Sequence, residues 1–114
     1  DTKTDFCTFS RNVEKVSKKY PLNPSGYFGE KGKNHRVIVS DNPIETSEDF
    51  YKTISCGGKE SQLSNGKGVQ TVFEDGTRIV YRVITSTPDS PAVDITVNIE
   101  SPVKKQKIHF IRKD

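Results

Sequence analysis

The sequence predicts an α+β domain in which N-terminal helices pack on an antiparallel sheet of roughly four strands. Three patterns predict this class: apolar residues recur at helical spacing in the first half, they alternate with polar residues in the second half, and an Asp-Gly turn separates two alternating segments. The chain has 114 residues, of which 31% are hydrophobic, so it has room for one domain with a thin, two-layer core. We therefore expect residues 1–114 to form a single domain, with a helical part in residues 1–30 and an antiparallel meander in residues 66–112.

Two helices are predicted from apolar spacing and capping residues. The first begins with Ser10 as its N-cap and extends to about Tyr20. The second has Thr46 at its N-cap and presents Phe50 and Ile54 on one face.

The strands are predicted from period-two alternation, and residues 59–68, which are polar and contain glycine, are predicted to form a loop. Alternation also divides the sheet into a face toward the helices and a polar face away from them. The orientation of Arg82 stays open, because both faces of its strand carry apolar residues. The predicted strands are Val69–Phe73, Thr77–Thr85, Val93–Ile99 and a last strand around Ile108 and Phe110, while Arg36–Val39 is either a short strand or a buried loop segment; the predicted polar face carries Asp94, Thr96, Asn98, Lys107 and His109.

Charge and cysteine content limit the classes of function. The net charge of +3 and the pI near 8.9 suit a phosphate-bearing partner. No apolar run approaches the roughly 20 residues that a membrane-spanning helix needs. Cys7 and Cys56 lack metal-ligand spacing, so we expect no metal site; whether they pair is left open, since a disulfide suits secretion and free thiols suit the cytosol.

Two groups of polar side chains could support RNA cleavage. RNA supplies its own 2′-hydroxyl nucleophile, so cleavage needs a base, an acid and a cation for the phosphorane, and no metal or cofactor. Histidine can be base or acid, and arginine offers a two-pronged donor to phosphate. His35 lies in a loop among Lys31, Lys33 and Arg36, while Arg82, Thr85, Ser86 and Thr87 lie where the central strand ends; His109 is a lesser candidate, on the last strand.

The segment DGTRIVYRVITSTPDSPAVDI, followed by QKIHFI, resembles the C-terminal toxin domains of bacterial contact-dependent growth inhibition and related polymorphic toxin systems. Within these it is similar to the group with the Barnase–EndoU–colicin–RelE fold, and the likeness covers roughly residues 31 to 111. The resemblance implies a metal-independent ribonuclease, often acting on tRNA, that is exported as part of a larger protein, works in the cytoplasm of a neighbouring bacterium, and is neutralised by an immunity protein.

Carried over by position, the resemblance gives catalytic roles to His35, Arg82, Thr85 and Ser86. RNA would be steered by cations and by the second histidine, and we expect the immunity protein to be acidic so that it can cover them. Two other hypotheses stay open: a non-catalytic basic module that binds RNA or an acidic protein, and a toxin that acts on DNA or a nucleotide cofactor. The expected RNA-binding residues are Lys31, Lys33, Arg36, Arg78 and His109.

Overall fold

The structure is a computed structural model that describes residues 7–33, 35–86 and 90–113. Within these ranges two helices and seven strands form one α+β unit, which confirms the predicted class. The helices are α1 (Phe9–Lys19) and α2 (Pro43–Ile54); the strands are β1 (Glu30–Lys31), β2 (Arg36–Ser40), β3 (Lys59–Gln62), β4 (Gly68–Val72), β5 (Arg78–Arg82), β6 (Ala92–Thr96) and β7 (Gln106–Arg112).

The sheet is larger than the four antiparallel strands that the sequence predicts. Its strand order is β1-β2-β7-β6-β5-β4-β3, and every neighbouring pair is antiparallel except β2 and β7, which are parallel. The predicted meander corresponds to β4–β7, and β3 extends it where a loop was expected. All four residues of β3 are exposed and polar, as is common in an edge strand, so the alternation that identifies a half-buried strand is missing.

Both helices begin earlier than predicted. Thr8 is the N-cap of α1, where its Oγ1 accepts a hydrogen bond from the Arg11 backbone N–H at 3.2 Å. Asn42 is the N-cap of α2, and Pro43 takes the first helical position, where its missing N–H costs nothing. The predicted cap, Thr46, lies inside α2.

The core lies between the two helices and one face of the sheet. Phe50 is fully buried at its centre, with the rings of Tyr20, Phe28 and Phe110 at centroid distances of 5.4, 5.2 and 5.6 Å. No helix in the described ranges is long and apolar enough to cross a bilayer.

The two helices are joined covalently and by a buried amide. A disulfide links Cys7, just before α1, to Cys56, just after α2. Asn12 is also buried, and its Nδ2 donates to the carbonyls of Ile54 at 2.8 Å and Cys56 at 2.7 Å. These contacts hold α1 and α2 together as one layer on the inner face of the sheet. The opposite face of the sheet, which carries polar side chains, is called the outer face below.

Candidate functional site

The outer face brings Arg82 and His109 into one row. Arg82 is paired with Ala92, and Ala92 with His109, across the neighbouring strands β5, β6 and β7. Residues paired in this way point to the same face, so the register places Arg82 on the outer face. The Cα atoms of Arg82 and His109 are thus two strand spacings apart, roughly 10 Å, and only the methyl group of Ala92 lies between them in the row.

The two histidines of the chain meet beside this row. His35 ends the turn between β1 and β2, where its carbonyl accepts a hydrogen bond from Gly32 at 2.7 Å. Val37, two residues further along, is paired with His109 through the parallel β2–β7 ladder. The imidazole rings of His35 and His109 lie edge to face, with their centroids 4.6 Å apart. Parallel pairing therefore joins two histidines that are far apart in the sequence.

His109 is held in one orientation and favours the neutral form. The Ser90 Oγ lies 2.9 Å from its Nδ1, so a hydrogen bond fixes the ring. The pKa of His109 is lowered below its ordinary value, first by burial and then by the positive charges of His35, Lys107 and Arg82. The contact with His35 therefore contributes to the preference of His109 for its neutral form.

Arg82 is held by a carboxylate. Its Nη2 donates to Asp94 Oδ2 at 2.8 Å, and the two side chains are 30% and 27% exposed. The buried Nε of Arg82 has no hydrogen-bond partner in the described part of the protein. Asp94 thus fixes the direction of the Arg82 guanidinium, and the Nε–H of that guanidinium is not bonded to any described residue.

Two adjoining hollows on the outer face form what we call the basic groove: Arg82 and Asp94 line one of them, His35 lines the other, and His109 contacts the His35 ring. One has a volume of about 560 Å³ and lies over β5, β6 and β7; the other, of about 430 Å³, lies beside the His35 turn. They share residues 105–107, and Asp94 is the one acidic residue among those that line them. The lining cations are Lys31, Lys33, Arg36, Arg78, Arg82, Lys105 and Lys107.

An excess of cations along a groove attracts a polyanion such as RNA. In the described ranges, no cluster of three or more His, Cys, Asp or Glu side chains could hold a metal ion. The histidines of the site can transfer protons, and its arginine and lysine side chains can stabilise negative charge.

Most of the predicted RNA-binding cations line the groove, but Arg36 also has a structural contact. Lys31, Lys33 and Arg78 are exposed there. The Arg36 guanidinium instead donates to the carbonyls of Phe28 at 3.1 Å and Gly29 at 2.8 Å. We therefore assign Arg36 mainly to holding the segment before the histidine turn.

The predicted hydroxyl cluster lies partly outside the described residues. The Thr85 hydroxyl donates to the Ser90 carbonyl at 2.6 Å, a contact that closes the loop after β5. Ser86 is exposed at the end of a described range, and Thr87 falls in the gap at residues 87–89. Thr85 thus bonds to the backbone of Ser90, the residue whose side chain holds His109.

Sequence reasoning did not connect Asp94, Lys107 or Ser90 with the candidate site, and it did not bring His109 beside His35. Alternation does place Asp94 and Lys107 on the polar face, but it does not pair Asp94 with Arg82. Ser90 lies in a Ser-Pro-rich loop and has no sequence signal that links it to a histidine. The contact between the histidines depends on the β2–β7 pairing, which joins residues 36–40 to residues 108–112.

No protein-family model, no curated protein and no solved structure matches this chain. The resemblance to toxin nucleases therefore remains an expectation, and the function is argued from the histidine pair and the basic groove.

Proposed function

We propose that this domain is a metal-independent ribonuclease that cleaves by attack of the RNA 2′-hydroxyl. The observation that carries the proposal is the contact between the only two histidines of the chain, whose ring centroids are 4.6 Å apart and one of which, His35, lines a groove rich in cations. Both proton-transfer roles of the reaction can be filled by imidazole. We further propose tRNA as the substrate, following the resemblance of the hairpin segment to toxin domains.

His109 takes the base role, because its lowered pKa keeps the ring neutral at physiological pH. It removes the proton from the 2′-hydroxyl, whose oxygen then forms a bond to phosphorus. His35 is the acid and gives a proton to the departing 5′-oxygen as the P–O5′ bond breaks. The products are a 2′,3′-cyclic phosphate and a 5′-hydroxyl, and the two histidines have exchanged protonation states.

Arg82 stabilises the phosphorane. The 2.8 Å bond to Asp94 fixes its guanidinium before RNA binds, so little reorganisation is needed when negative charge develops. Lys107 lines the same hollow and adds positive charge near the reacting phosphate. Lys31, Lys33 and Arg78 lie further along the groove, where they attract the flanking phosphates and orient the chain.

The proposal is tested by incubating the purified domain with total bacterial RNA in EDTA and resolving the products on denaturing gels probed for tRNAs. We expect discrete fragments that end in a 2′,3′-cyclic phosphate. His35→Ala and His109→Ala should each lower the cleavage rate by about 10²- to 10⁴-fold, the usual effect of losing a general acid or base. Lys15→Gln, which removes an exposed charge on α1, is the matched control and should cleave at the parental rate.

Two further arms separate the alternatives. Arg82→Ala should slow cleavage while the variant still folds by circular dichroism, and DNA of the same sequence should stay intact because it lacks the 2′-hydroxyl. Parental cleavage rates in both histidine variants would refute the site. Salt-dependent RNA binding without cleavage would instead favour a non-catalytic basic module, and cleavage of DNA would favour a different toxin chemistry.

We propose that the partner of this domain is an acidic immunity protein that covers the basic groove. Complementary charge would speed association and make it sensitive to salt. We also propose that the domain is exported within a larger protein and acts in the cytoplasm of a target cell; the Cys7–Cys56 disulfide is consistent with passage through an oxidising compartment. If the domain still cleaved RNA while bound to its immunity protein, the proposal that the partner covers the groove would be contradicted.

A further inference from the structure

The basic groove contains a tyrosine whose backbone and ring are both held in place. Tyr27 is partly exposed and lines the 430 Å³ hollow together with His35. Its N–H donates to Asn23 Oδ1 at 2.9 Å, and its carbonyl accepts from the Asn23 backbone N–H at 2.9 Å. The guanidinium carbon of Arg36 lies 5.0 Å from the centroid of the ring, within cation–π distance.

The group that covers one face of the ring is also fixed. Arg36 donates to the carbonyls of Phe28 and Gly29, so its guanidinium cannot move away from Tyr27 without losing two hydrogen bonds. Because Arg36 occupies that face, a ligand that stacks on Tyr27 must use the opposite face of the ring. An aromatic ring that is already immobile loses little conformational entropy when it binds.

We infer that Tyr27 is a stacking platform for an unpaired nucleobase next to the phosphate that is cleaved. Every nucleobase has a π-face that can stack on an aromatic ring, and cations along the same groove hold the adjoining phosphates. Lys31 and Lys33 line this hollow together with His35, and its volume of about 430 Å³ lies within the usual range for small-ligand sites, roughly 300–1,000 Å³. The inference deepens the proposed function and rests on it: the preferred RNA is single-stranded or looped, because the bases of a duplex are already stacked.

The test uses a short single-stranded 2′-O-methyl RNA, which cannot be cleaved by 2′-hydroxyl attack. The fluorescent base 2-aminopurine is placed at one internal position in each of a set of otherwise identical strands. Stacking on Tyr27 should quench the fluorescence of at least one strand at saturating protein. Tyr27→Ala should remove that quenching and weaken binding about 5- to 100-fold, the range expected for loss of one base–aromatic stack.

Two further variants separate stacking from charge and from misfolding. Tyr27→Phe should keep both quenching and affinity, since it retains the ring, and Tyr27→Leu replaces Tyr27→Ala if the latter does not fold. Lys33→Gln should weaken binding and reduce its salt dependence, yet leave quenching at saturation unchanged.

Each outcome bears on the inference separately from the nuclease proposal. Quenching that persists in Tyr27→Ala, or a parent protein that binds without quenching or does not bind, overturns the stacking platform even if RNA is cleaved in EDTA. Quenching that depends on Tyr27 in a protein that cleaves no RNA supports the platform and refutes the nuclease.

Discussion

Reduction of the Cys7–Cys56 disulfide should lower the free energy of unfolding by about 4 kcal/mol. The two cysteines are 49 positions apart, and closing a loop of that length removes roughly 14 cal/mol/K of entropy from the unfolded chain. Single domains of this kind have a total stability of about 5–15 kcal/mol, so the bridge accounts for a large share of it. With a urea m-value of about 1–3 kcal/mol/M, the unfolding midpoint should decrease by roughly 1.3–4 M.

The assay is a urea titration followed by far-ultraviolet circular dichroism, with and without dithiothreitol. The double variant Cys7→Ser/Cys56→Ser is the matched control: it should unfold at the lower midpoint and show no response to dithiothreitol. Because the disulfide joins the helices while the groove lies on the outer face, reduced protein that is still folded should retain the groove and its RNA binding. Equal midpoints in oxidised and reduced protein would refute the reasoning.

Three more substitutions test the site and its support. Lys107→Gln removes a cation that lowers the pKa of His109, so the pKa of His109 should rise. In the pH–rate profile at saturating RNA, the limb that reports His109 should then move to higher pH. An unchanged limb, or one at lower pH, would contradict this assignment. Asn12→Ala leaves two carbonyls near the end of α2 without their buried donor and should cost about 1–3 kcal/mol in urea unfolding, whereas a loss below about 0.5 kcal/mol would show that water replaces the amide. Gly32→Ala would bring a methyl group within 3.1 Å of the His35 Nε2, so cleavage should slow with little change in the unfolding midpoint, and a parental rate would show that the imidazole can shift without loss.

Local patterns predicted the two helices and the meander of β4–β7, but not β1, β3 or the complete strand order. The helical stripe of Phe50 and Ile54 and the alternation of β6 and β7 were visible because each reports its own burial. The β2–β7 pairing was not, since it joins residues 36–40 to residues 108–112 and leaves no local signal. For the same reason His35 and Arg82 were chosen from their surroundings in sequence, while the contact between the histidines needed the tertiary fold.

The central position of β7 has a consequence for the order in which the protein is made. β7 is the last described strand along the chain, yet it lies between β2 and β6 and joins β1–β2 to the rest of the sheet. In a nascent chain whose residues 106–112 are still inside the ribosome, His109 is not in place and β2 has only β1 as a partner, with no connection to β6. If the domain is the ribonuclease proposed above, the candidate site is incomplete until β7 has emerged, and an inhibitor would be needed only from that point on.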